Sequence, residues 1–305
     1  MKTAAAPALP PVFRGGQGIL LLFGLFLVGL FATSLIAAAY TDASAPSRAA
    51  VMATSAIQGV LAFCLPAILA VKLAGFHPGS FLKLDGELTA RAIFGILVLY
   101  IVALPALNWI VDWNAHIHLP ESMAGFEQTL RTWEEANGKA GELLLSSTSF
   151  GGMLMGVLVV GILTGFCEEI FFRGALQRLL GVCGMRPFWA ISLTALVFSI
   201  LHFQFFGFVP RLLLGAFFGF LLFRSQSLWT AACAHAVNNS MVVVSSWLVN
   251  TGMISSTPDS VGLPDSGFPW LAAGSAIATV LLLYFFSSMF LDPISKPASG
   301  NGKEI

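Results

Sequence analysis

Residues 151–180 read GGMLMGVLVVGILTGFCEEIFFRGALQRLL, an apolar run interrupted by two adjacent glutamates and an arginine. A helix that crosses a bilayer needs roughly twenty mostly apolar residues, and this run is longer. A charge at the centre of such a helix costs about 2.5–3.5 kcal/mol and is retained where it pairs or works. Helical spacing divides the three charges. Glu169 and Arg173 are four apart and share a face, so they can pair directly. Glu168 is turned from Glu169 by about 100° and points elsewhere. The simplest reading has Arg173 neutralising Glu169 and leaves Glu168 free as a general base.

The rest of the chain has the same character. Of its 305 residues 57% are hydrophobic and 10% charged, with a mean hydropathy of +0.85, whereas soluble domains carry about 25% charged residues. The composition predicts an all-α, polytopic membrane protein. Zero net charge gives no basic surface for nucleic acid. Cys64, Cys167, Cys183 and Cys233 form no C-x-x-C pair and read as small hydrophobes rather than a disulfide or zinc framework.

Eight segments are apolar enough to span: 17–40, 51–74, 92–112, 149–173, 188–206, 208–224, 227–249 and 269–291. The first is too long for a signal-peptide core, and Gly207 with Pro210 marks the break between the fifth and sixth. With the N-terminus inside, Lys2, Arg14, Lys72, Lys83, Arg91, Arg173, Arg178, Arg186, Arg224, Lys296 and Lys303 fall on the inner side. Arg48, Arg131, Lys139 and Arg211 fall outside. Eleven against four fits the positive-inside rule with both termini cytoplasmic. In the outer loop 113–148, Met123, Phe126, Leu130 and Trp133 recur at helical spacing, predicting an amphipathic helix that ends before Gly138. It lies on the membrane interface or packs against the bundle, with a substrate gate as the sharper alternative. The tail DPISKPASGNGKEI reads as polar and disordered. The chain shows no internal repeat and no soluble domain.

Other polar residues within the spans complete a constellation. His202 lies in FSILHF and His235, Asn238 and Asn239 in ACAHAVNNS. His235 and Asn239 share a helical face, as do Phe198 and His202. Glu168 and His202 stand sixteen and seventeen residues from a connection near 185, so an antiparallel pair of helices brings them to similar depth. The set suits hydrolysis of an amide bond, with Glu168 and His202 deprotonating water and His235 and Asn239 meeting the oxyanion. No serine or cysteine nucleophile with a neighbouring base is evident. The Gly215/Gly219 pair reads as close helix packing.

In order and spacing, EEIFFR, FSILH and HAVNN resemble the E-E-x-x-x-R, F-x-x-x-H and H-x-x-x-N motifs of the CPBP family. This is the group of CAAX prenyl endopeptidases and bacteriocin-processing proteins, also called the ABI family. The resemblance implies an intramembrane endopeptidase of the Ras-converting type whose core is 149–248. Residues 1–148 then supply three helices and the outer loop helix, and 249–305 a last helix and tail. It implies Glu168 and His202 as the water-activating pair, His235 and Asn239 on the oxyanion side, and Glu169, Arg173 and Phe198 in support. No cofactor is expected, and the substrate is a peptide or membrane protein met at the bilayer of the plasma or inner membrane.

Three alternatives remain open at the level of sequence. Glu168, His202 and His235 are also a zinc ligand set, although the H-E-x-x-H pattern is missing. A non-proteolytic scaffold or bacteriocin-immunity protein would use the same pocket to bind peptide. A transporter fits less well, because the charges do not line two matching repeats of broken helices.

Overall fold

A computed structural model of the chain describes residues 10–42, 45–255, 258–264 and 268–291, apart from the side chains of 287, 289 and 290. Lys2, Lys296, Lys303 and the polar tail lie outside the described residues. Those described form helices and turns with no strand.

Among the described residues, nine helices longer than one turn carry the architecture: α1 Pro11–Ala38, α2 Arg48–Leu73, α3 Ala90–Ala115, α4 Ala124–Leu145, α5 Phe150–Val182, α6 Pro187–Ile200, α7 Phe208–Ser225, α8 Leu228–Asn250 and α9 Trp270–Phe290. Among the described residues, five stretches are long and apolar enough to cross a membrane: α1, α2, α3, α5 and Phe205–Ser225, which contains α7. The other three expected spans are present as helices with different properties. α6 stops at Ile200 after 14 residues, about 21 Å of helix against a hydrocarbon core of about 30 Å. α9 has a shorter apolar stretch. α8 has 23 residues but carries His235, Asn238 and Asn239 in its interior.

The quoted stretch becomes the centre of the molecule. From Ile170 to Gln177 every residue of α5 is buried, the polar Arg173 and Gln177 included, so both must find partners inside the protein. Phe171 packs on Phe23, Phe26 and Phe63 at 5.3–5.9 Å between ring centroids, tying α5 to α1 and α2. Two lengths of α5, Val157–Thr164 and Ile170–Gln177, are wound as π-helix, in which hydrogen bonds reach one residue further than in an α-helix. Gly184, at φ +88°, ends the helix, with Met185 N–H donating to Leu180 O. The chain therefore reverses close to residue 185, as the sequence spacing anticipates.

Close approach between α5 and α8 depends on missing side chains. A Cβ at Gly156 would stand 2.8 Å from Val243 Cγ1, and one at Gly161 would overlap Ser240 Oγ. Gly165 faces Ala236 and His235 at ordinary contact distance. This glycine face holds α8 so that its polar residues reach α5.

The outer loop helix runs further than expected, through Gly138 to Leu145. It packs by its polar side: Glu134 Oε2 accepts from Phe206 N–H at 3.2 Å, and the Arg131 guanidinium lies 3.8 Å above the Phe206 ring. Met123, Phe126 and Trp133 stay exposed, which suits a helix lying on a membrane interface.

Candidate active site

Glu169 and Arg173 pair as the spacing predicts, at 2.7 Å, with both side chains fully buried. Arg173 also donates from Nη2 to Gly215 O at 2.9 Å, and Gln177 from Nε2 to Gly219 O at 3.1 Å. The two glycines of α7 thus do more than permit packing. Their uncovered carbonyls receive the polar side chains of α5, a role that small-residue spacing alone does not signal.

Glu169 has a second partner. Its Oε1 accepts from His235 Nδ1 at 2.8 Å, so one carboxylate oxygen orders both the arginine and the histidine. His235 then turns Nε2 toward Glu168 Oε2, at 3.8 Å. The sequence reading grouped His235 with Asn239. The structure places its ring between the two glutamates, 66 residues away, and no local pattern reports that contact. Phe218 stacks on the His235 ring at 4.8 Å, and Phe198 meets it edge-on at 5.9 Å.

Glu168 is the acid left over. Among the described residues its carboxylate makes no hydrogen bond, and its side chain is 13% exposed. Helical phase alone thus placed Glu169, and not Glu168, against Arg173.

His202 does not lie within a helix. α6 ends at Ile200, and the turn that follows brings Phe203 to φ +52°, a left-handed conformation that bulky residues rarely adopt. His202 Nδ1 bonds to Phe198 O at 2.7 Å. Since a carbonyl only accepts, Nδ1 carries the proton and Nε2 is left as an acceptor. The Phe198 ring lies against the His202 ring at 4.8 Å, against Phe172 at 5.1 Å, and under Arg173 Cζ at 4.5 Å. Phe198 thus spaces both histidines and the arginine. Glu168, His235 and Arg211 are within electrostatic reach of His202.

Asn239 donates from Nδ2 to Val160 O at 3.2 Å and accepts at Oδ1 from Asn238 at 3.1 Å. The turn that bears His202 is clamped from α3 by buried Asn114, which donates to Phe205 O and accepts from Val209 N–H.

Both histidines are held by Nδ1, an arrangement shared with metal-ligating histidines. Among the described residues, however, no three His, Cys, Asp or Glu side chains converge as a metal-ligand set. Glu168, His202 and His235 are not gathered into a zinc-ligand set in this arrangement. All four cysteines are free thiols. A cavity of about 670 Å³ lies apart from these groups between α3, α7 and α9, lined almost wholly by apolar side chains such as Leu99, Phe217 and Val280.

Residues 132–241, which contain every candidate site residue, match the family model of the type II CAAX prenyl endopeptidase Rce1-like proteins. The match agrees with the resemblance carried by the three motifs. No curated protein matches the chain.

Proposed function

We propose, with the family match over residues 132–241 as premise, that the chain is an intramembrane endopeptidase acting on a membrane-associated peptide or protein. One observation carries the assignment. Glu169 answers both Arg173 and His235, so Glu168 stands beside His235 Nε2 with no hydrogen bond of its own among the described residues.

In this reading Glu168 takes a proton from water while His202 Nε2 orients it. The hydroxide attacks the scissile carbonyl, and Glu168 returns the proton to the departing amine. Asn239 spends one N–H on Val160 O and offers the other to the oxyanion. His235 offers Nε2 when it carries a second proton. Arg173 and Phe198 hold this geometry without touching the substrate. The chain would sit in the plasma or inner membrane with eight crossings and both termini cytoplasmic. The support for this placement is the five long apolar helices and the distribution of Lys and Arg.

Cleavage of a library of membrane-partitioning peptides by purified protein in nanodiscs tests the assignment. Glu168→Gln is expected to lose activity by about 10²–10⁴-fold with an unchanged melting temperature, and a chelator is expected to have no effect. Loss on chelation, restored by zinc, would replace the glutamate mechanism with a metal-dependent one. Full biological activity in Glu168→Gln would replace the enzyme with a peptide-binding scaffold or immunity protein.

A further inference from the structure

Arg211 sits in the first turn of α7, beside the turn that bears His202. Its guanidinium lies back across that turn, donating from Nη1 to Gly207 O at 3.3 Å and from Nη2 to Gln204 Oε1 at 2.5 Å. Gly207 eases this approach, since a Cβ there would stand 3.3 Å from Nη2. Both acceptors are neutral. Among the described residues no carboxylate is in ion-pair contact with Arg211.

Two features of the setting disfavour such a cation. The side chain is partly buried. The N-terminus of a helix carries partial positive charge and prefers an anion. Glu134 and Glu168 lie within electrostatic reach and offset this from a distance, without ion-pair contact, and Glu134 spends an oxygen on Phe206 N–H. A residue needed only to fasten the turn would require donors but no charge. Of the five N–H donors of a guanidinium, these two bonds leave three, in a fork suited to a carboxylate.

We propose that Arg211 is a substrate-recognition residue that binds a carboxylate of the peptide next to the His202 turn. This rests on the endopeptidase reading and assigns it a preference for acidic substrates. The carboxylate comes either from a free peptide C-terminus or from an Asp or Glu side chain near the scissile bond.

The test reads binding without turnover. In a Glu168→Gln background, a fluorescent apolar hexapeptide is titrated in neutral detergent, free of anionic lipid, and followed by anisotropy. Three forms are compared: free C-terminal carboxylate, C-terminal amide, and amide with one internal glutamate. One or both carboxylate forms are expected to bind about tenfold more tightly than the amide, and which form does so identifies the source. Arg211→Gln should erase that preference at unchanged melting temperature, and Arg211→Lys should keep part of it. The proposal is overturned by equal binding of the three forms, by no binding of any, or by a preference that survives Arg211→Gln. It is also overturned if Arg211→Gln lowers the melting temperature and weakens all forms alike, since Arg211 would then be a structural tie. The readout does not depend on cleavage, so a failure of the endopeptidase assay is recorded separately.

Discussion

At the scale of single residues, Glu169 does the most. One oxygen of a fully buried carboxylate accepts from Arg173 and His235 together, so its removal leaves a buried arginine without a counter-charge. Breaking a buried pair by deleting one partner costs about 3–5 kcal/mol, whereas replacing both with apolar residues is often near neutral. Glu169→Leu or Arg173→Met alone should therefore lower the melting temperature sharply. The double variant should regain much of that stability and still cleave no peptide, because His235 has lost the acceptor that aims its ring. A double variant with normal cleavage would remove Glu169 from the site. Phe203 offers the opposite case. It is 65% exposed and left-handed at φ +52°, which costs an L-residue about 1–2 kcal/mol. Phe203→Gly should raise thermal stability by about 1 kcal/mol, and cleavage measured on the same sample would show whether that strain positions His202. The ion pair was legible from a spacing of four. The strained turn was not, because no glycine or asparagine announces it.

Among the elements, α5 and α8 decide whether a site exists. Gly156, Gly161 and Gly165 are five and four apart along α5, and the first interval runs through its π-helical length. A pattern search based on 3.6 residues per turn does not align them. Gly161→Ala meets only Ser240 Oγ, which can rotate, so it should change stability and cleavage little. Gly161→Leu overpacks the interface at a cost of about 1–3 kcal/mol and should move His235 away from Glu168. Activity falling well below what the melting temperature explains would confirm that the spacing matters for geometry. α4 makes a separate pH prediction. Glu127 accepts from the Leu119 backbone N–H, Arg131 and His118, and in that order these hold its carboxyl down at about 2. A depressed carboxyl stabilises the fold above its ordinary range and loses that contribution as pH falls toward its folded value. The 118–131 segment should keep its hydrogen-exchange protection at pH 5 and lose it progressively below about 4. Protection unchanged down to pH 2 would show that these bonds do not hold the loop.

At the level of the whole molecule, the proposed eight crossings make a topological prediction. Tags at both termini should resist external protease in intact cells, while a tag inserted at Gly138 should be cleaved. Cleavage at one terminus only would mean an odd number of crossings. Much of the architecture was readable in advance: its helical class, its membrane character, the position of the reversal near residue 185, and the pairing of Glu169 with Arg173. Each of these follows from composition, from where the apolar segments end, or from spacings within one turn of helix, where neighbours in sequence are neighbours in space. The tertiary structure decided what such spacings cannot reach. It ended α6 before His202, placed His235 between Glu168 and Glu169 across 66 residues, turned the carbonyls of Gly215 and Gly219 into acceptors for α5, and laid Arg211 beside the His202 turn. Those contacts exist because a glycine face lets two helices approach and because a buried charge must find partners on whichever element packs against it. Such demands are met by the packed molecule and leave no period in the chain.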